Sequence, residues 1–103
     1  MKKNLIYLIS VLFLFSNGLA QVKYKLIENI QYYHNIKNDS CALDIYYPTN
    51  IKNFPTIVWF HGGGLKNGDK KISDRLKRQE LAVVSANYRL YPNVTTEQVI
   101  SDA

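Results

Sequence analysis

The sequence is short of the residues that would build several kinds of protein. One cysteine, Cys41, excludes a disulfide framework within the chain and any cysteine-rich zinc site. Three prolines, at Pro48, Pro55 and Pro92, exclude a proline-rich linker or ligand segment. Five glycines are few for 103 residues, yet three of them are consecutive. There is no internal repeat and no apolar run of the roughly 20 residues that a spanning helix requires. Lys plus Arg exceeds Asp plus Glu by five, and Lys2 and Lys3 supply two of those charges. What is left is a mild surplus, without the dense basic stripe of a nucleic-acid binder. Hydrophobic residues reach 47%, which excludes a disordered charged tail. The length allows one small domain.

The first twenty residues read as a secretory signal peptide. A basic start, Met1-Lys2-Lys3-Asn4, precedes Leu5 to Phe15, which is apolar except for Tyr7 and Ser10. A polar break at Ser16-Asn17-Gly18 follows, and Gly18 and Ala20 are the small residues that a signal peptidase requires at −3 and −1. No cysteine follows to carry a lipid. The expectation is cleavage before Gln21 and a secreted or periplasmic protein, with no membrane contact after cleavage; an uncleaved N-terminal anchor is the alternative. Cys41, alone in an oxidising compartment, is expected to be a buried free thiol or to pair with a cysteine outside the chain. Asn38-Asp39-Ser40 and Asn93-Val94-Thr95 match the glycosylation acceptor pattern, which matters only in a eukaryote.

From Gln21 onward the pattern predicts an α/β fold. Lys25 to Tyr33 and the alternating Cys41 to Tyr47 predict a hairpin around the polar turn His34 to Ser40. Thr56 to Phe60 and Leu81 to Ala86 are continuous apolar runs, as in parallel strands covered on both faces. Between them Ser73 to Glu80 predicts a crossover helix, with Ser73 as N-cap and Lys77 and Arg78 near its end. Thr95 or Thr96 is expected to cap a second helix over Glu97 to Ala103. One and a half helices cannot cover such a sheet, so an exposed edge and face are expected, along with a domain that continues beyond Ala103.

The segment that carries chemistry is His61-Gly62-Gly63-Gly64, placed where a buried strand turns toward a helix. Glycines there let the backbone take φ > 0 and let a ligand come close, and their N–H groups belong to no ladder. Free N–H donors at the C-terminal end of a parallel strand make an anion pocket. A phosphate site would need a Gly-x-Gly-x-x-Gly turn or a terminal Gly-Lys-Ser/Thr, whereas Gly64 is followed by Leu65-Lys66-Asn67-Gly68-Asp69. The oxyanion of a tetrahedral acyl intermediate remains.

These residues resemble the start of an α/β-hydrolase, on the esterase/lipase branch with the His-Gly-Gly-Gly loop. Three stretches in order carry the likeness: Leu43-Asp44-Ile45-Tyr46-Tyr47-Pro48, Pro55 to Gly64, and Val83 to Pro92 with its Tyr88-Arg89-Leu90. One departure is Gln79-Glu80-Leu81, where the family commonly has glycine before the next strand. The resemblance implies an oxyanion hole from Gly63 and Gly64, supported by Gly62 for the turn and His61 for the loop's shape. It also implies a serine in a Gly-x-Ser-x-Gly elbow, then an acid, then a histidine. None of Ser40, Ser73, Ser85 and Ser101 has glycines two residues to either side. The expectation is a secreted serine hydrolase acting on a small-molecule or polysaccharide-linked acyl ester, without cofactor, metal or nucleic acid. This chain, the N-terminal portion of its domain, would supply the oxyanion loop and no nucleophile. An amidase or peptidase, an inactive fragment and a non-enzymatic binding protein on the same fold are the alternatives. Asp69 is expected to hold the loop or cap a helix, Arg89 to form a structural ion pair, and His34 to be solvated. The pairs Tyr32-Tyr33 and Tyr46-Tyr47 are assigned to packing at a sheet edge, with carbohydrate stacking as the alternative.

Overall fold

The computed structural model describes residues 20–36 and 39–103. The expected signal peptide therefore lies outside the described residues except for Ala20, and so does Asn38 of the first acceptor pattern. Four strands form one sheet: β1 (Tyr24–Gln31), β2 (Ala42–Pro48), β3 (Thr56–Phe60) and β4 (Ala82–Ala86), in the order β1-β2-β4-β3. One helix, α1 (Thr96–Asp102), follows. The β1–β2 hairpin is present, but β2 meets β4 antiparallel, so the parallel part of the sheet is the β3–β4 pair.

The hairpin is bulged between Ile27 and Ile30. Asn29 sits there at φ 59° and donates its amide to Asp44 Oδ1 at 2.9 Å. Lys70 reaches in from the long β3–β4 connection, 3.0 Å from the Asp44 carboxylate and 2.8 Å from Asn29 Oδ1. This ion pair is mostly buried, and the extra hydrogen bonds to Asn29 satisfy charges that would otherwise be costly there. Lys70 to Ile72 also cross the β4 face that carries Ser85 and Asn87. Lys70 N donates to Asn87 Oδ1 at 2.6 Å, and Ser85 Oγ both accepts from Lys71 N at 2.9 Å and donates to Lys71 O at 3.1 Å.

The crossover helix predicted over Ser73 to Glu80 is not formed. Ser73 Oγ does accept from Arg75 N at 3.3 Å, as a cap would. The bonds that follow, Leu76 N to Ser73 O and Lys77 N to Asp74 O, are i→i+3 turns, and Arg78 and Glu80 then take φ 60° and 57°. Eight residues are too few to hold a helix without an apolar face to dock, and here only Ile72, just before them, is buried while Leu76 is half-buried. The second helix does form. Thr95 caps it in a reciprocal capping box with Gln98, and Val99 and Asp102 face inward.

The core is small: Cys41, Ala42, Ala82, Val83, Ala86, Tyr88 and Val99 are buried. β3 is the outer strand, with Val58, Trp59 and Phe60 each 43–55% exposed. The expected exposed edge and face are both found at this strand.

Candidate active site

β3 ends at Phe60, and the glycine loop leaves the C-terminal end of this parallel strand. Gly63 has φ 131°, Gly64 62° and Leu65 64°. Three successive residues in the left-handed region make a backbone that most side chains resist. At Leu65 the conformation costs on the order of 1 kcal/mol, and such local strain clusters at functional loops. The turn is closed from inside: Lys66 N and Asn67 N both donate to Gly63 O at 3.2 Å. A Cβ on Gly63 would lie 1.9 Å from Asn67 O, so only glycine fits. The amides of Gly63 and Gly64 donate to no protein acceptor among the described residues, and both glycines are exposed. Two unspent donors side by side at a strand end are what an incoming oxyanion needs.

His61 is turned into this loop. Its Nδ1 lies 2.8 Å from Gly62 O, and because a carbonyl only accepts, the ring proton sits on Nδ1. Nε2 is buried without a partner. The ring stacks on Tyr88 at 4.5 Å between centroids and 10° between planes. Gly68, at φ 117°, closes the other side: a Cβ there would fall 2.1 Å from His61 Nδ1 and 2.5 Å from Gly62 O. The imidazole is thus packed between Tyr88, Gly68 and the Gly62 carbonyl. His34 lies exposed in a turn.

Asp69 Oδ1 accepts from Lys70 N at 2.9 Å and from Asn87 Nδ2 at 2.8 Å, which ties the exit of the loop to the end of β4. It caps no helix. Asn87 is buried, and its Nδ2 also donates to Asp39 O at 2.9 Å while its own carbonyl accepts from the Tyr32 hydroxyl. Arg89 forms the expected ion pair with Asp102. Nε to Oδ2 and Nη2 to Oδ1 are both 2.8 Å, and the Arg89 amide adds a third bond at 3.0 Å. These bonds hold the Asp102 carboxyl below the usual carboxylate range. Cys41 is a buried free thiol 3.6 Å from Asp102 Oδ2, and burial pushes its pKa up, so it is not an activated nucleophile.

The structure thus gathers His61, Gly62, Gly63 and Gly64 with Gly68, Tyr88, Asp69 and Asn87. Of the described serines, Ser40 lines a cavity with Gly68, Asn87 and Tyr88, Ser85 is buried against Lys71, and Ser73 and Ser101 lie in the crossover turn and in α1. Among the described residues no cluster of three His, Cys, Asp or Glu could hold a metal. Sequence reasoning missed Tyr88, Gly68 and Asn87 as loop partners. The one available signal was their proximity in sequence to the glycine run and to the end of β4.

The BD-FAE family model matches residues 43–103, a span from the second residue of β2 through the glycine loop to the end of α1. The chain belongs to this family. BD-FAE proteins are esterases of the α/β-hydrolase type, so the resemblance read from the three sequence stretches holds. The chain is also similar to Pyrethroid hydrolase Ces2a of Mus musculus, 37% identical over 62 residues that cover 54% of this chain and 11% of that protein. Acetylcholinesterase 4 of Caenorhabditis briggsae is likewise 37% identical over 62 residues, covering 55% of this chain and 10% of that protein. The chain spans about a tenth of the length of these curated relatives.

Proposed function

We propose that the chain is the oxyanion-stabilising part of a secreted serine hydrolase that cleaves carboxylic esters. The observation that carries the reading is the pair of unbonded Gly63 and Gly64 amides, held in a left-handed loop at the end of β3. In the reaction a serine oxygen adds to the ester carbonyl and a histidine takes its proton. The carbonyl oxygen becomes an alkoxide that accepts from the two glycine amides. The C–O bond to the alcohol then breaks, and the histidine returns the proton to the leaving oxygen; water, deprotonated by the same histidine, next adds to the acyl-serine, and the carboxylic acid leaves as the serine oxygen takes the proton back. The serine, the acid and the histidine of this scheme are not among residues 1–103; His61 and the four serines from Ser40 to Ser101 do not fill those places. Export favours an external substrate, such as an acylated polysaccharide or a small acyl ester. Among the described residues no helix is long and apolar enough to cross a membrane.

The test is hydrolysis of a short-chain aryl ester by the full natural polypeptide and by residues Gln21–Ala103 alone. Turnover is expected from the first, together with labelling by a serine-directed phosphonate, and none from the second. Binding of acyl esters by the full polypeptide without turnover would instead indicate a hydrolase-fold binding protein. Turnover by Gln21–Ala103 above the level of a serine-free variant would contradict the assignment of roles. Export is checked separately. After expression in a secreting bacterium, the protein outside the cytoplasm should begin at Gln21, and N-terminal sequencing that returns Met1 would rule out cleavage there.

A further inference from the structure

The segment after β4 holds the glycine loop at both ends. At the start, the Tyr88 hydroxyl donates to His61 O at 2.5 Å while its ring stacks on the His61 imidazole. At the far end, Tyr91 N donates to Leu65 O at 2.9 Å, and Lys66 Nζ stands 5.6 Å from the centre of the Tyr91 ring. The five residues His61 to Leu65 are thus suspended between two fixed points three residues apart on a neighbouring segment. The two anchors differ in kind. The Tyr91 bond is made by backbone and needs no particular side chain, whereas the Tyr88 bond is made by one hydroxyl. Tyr88 is itself 6% exposed, so it is a rigid post. The imidazole it stacks on leaves Nε2 buried and unpartnered, and no other side-chain bond holds the ring from that side.

We propose that Tyr88 is a positioning residue for the oxyanion loop. Its hydroxyl fixes the His61 carbonyl and its ring fixes the imidazole, so the peptide planes of Gly63 and Gly64 are set before substrate arrives. The inference rests on the reading of Gly63 and Gly64 as oxyanion donors. An unbraced loop must be ordered during the reaction, and that cost falls on the transition state rather than on substrate binding.

The test is Tyr88→Phe in the full natural polypeptide, which keeps the ring and the stacking and removes only the hydroxyl. Tyr24→Phe is the control: it also deletes one tyrosine hydroxyl that bonds a backbone group, Glu80 N at 3.0 Å, far from the loop. With a short-chain aryl ester, Tyr88→Phe should lose roughly 10- to 100-fold in kcat with KM little changed, a misplacement of about 1 Å being enough for the larger figure. Tyr24→Phe should keep its kcat. Hydrogen exchange supplies a readout independent of activity. The Lys66 and Asn67 amides, which close the loop on Gly63 O, should exchange faster in Tyr88→Phe and at the wild-type rate in Tyr24→Phe. Unchanged exchange at Lys66 and Asn67, or equal losses of kcat in both variants, overturns the proposal. If exchange quickens but kcat survives in both Tyr88→Phe and Gly64→Ala, Tyr88 still holds the loop and the oxyanion reading is what fails. If Gly64→Ala loses kcat while Tyr88→Phe keeps both kcat and exchange, the oxyanion reading stands and Tyr88 has no positioning role.

Discussion

Gly63→Ala in the full natural polypeptide should lower kcat by roughly 10²–10³, the loss seen when one oxyanion donor is removed. The added Cβ would lie 1.9 Å from Asn67 O and 2.6 Å from its carbonyl carbon, both backbone atoms that cannot swing aside. The turn that Lys66 N and Asn67 N close on Gly63 O must open to admit it. Gly64→Ala should act differently. Its Cβ would meet nothing within 4 Å, and φ 62° is a conformation alanine can adopt at a cost on the order of 1 kcal/mol. The loop should therefore survive, and the loss of kcat should come from a methyl group crowding the acyl oxygen. Steady-state kinetics on a short-chain aryl ester, with thermal unfolding alongside, separates the two. Gly63→Ala should lower both kcat and loop stability, and Gly64→Ala mainly kcat. Wild-type kcat in both variants would show that these glycines form no oxyanion hole.

The second large effect is expected in stability. Asp102→Asn should lower the midpoint of denaturant unfolding, by less than the loss of a fully buried ion pair would, because Arg89 keeps 32% of its side chain exposed and solvent can take up its charge. The carboxylate accepts both guanidinium bonds and the Arg89 amide, so one substitution loosens α1 from the end of β4 and from Cys41. The pH dependence has a definite sign. Arg89 holds the folded pKa of Asp102 below the unfolded value near 4. The contribution is therefore whole above about pH 4 and is lost as pH falls through the lower, folded value. The stability gap between wild type and Asp102→Asn should be full at pH 7 and should close below about pH 4. A gap that stays constant down to pH 3 would mean that the charge on Asp102 is not what holds α1.

Local pattern carried the hairpin, β3, β4, a threonine cap at Thr95 or Thr96 and the glycine loop, because each is written in contiguous residues. Alternation, continuous apolar runs and a capping Thr three residues before Gln98 need no knowledge of distant neighbours. The Ser73 to Glu80 segment failed for the opposite reason. Its cap and end charges are helical, but a helix so short needs a docked apolar face, and only Leu76 is offered among Asp, Arg and Lys. Asp102 was equally hidden. A carboxylate in the last turn of a helix opposes the helix dipole, and its value appears only when Arg89, thirteen residues earlier, is folded against it. Tyr88 was read as part of a family segment. Its bond to His61, twenty-seven residues away, depends on the β3–β4 register, which pairs Phe60 with Ala86 and so sets the two strand ends side by side. In the candidate site, the donors were legible and their supports were not.

Under the proposed function the Gly63 and Gly64 amides receive the oxyanion of an acyl intermediate. The most direct measurement is the structure of the full natural polypeptide after reaction with a serine-directed phosphonate, whose phosphonyl oxygen stands where the oxyanion would form. That oxygen is expected within about 2.7–3.1 Å of both Gly63 N and Gly64 N, with His61 Nδ1 still on Gly62 O. A phosphonyl oxygen bound elsewhere, with both glycine amides left to solvent, would contradict it.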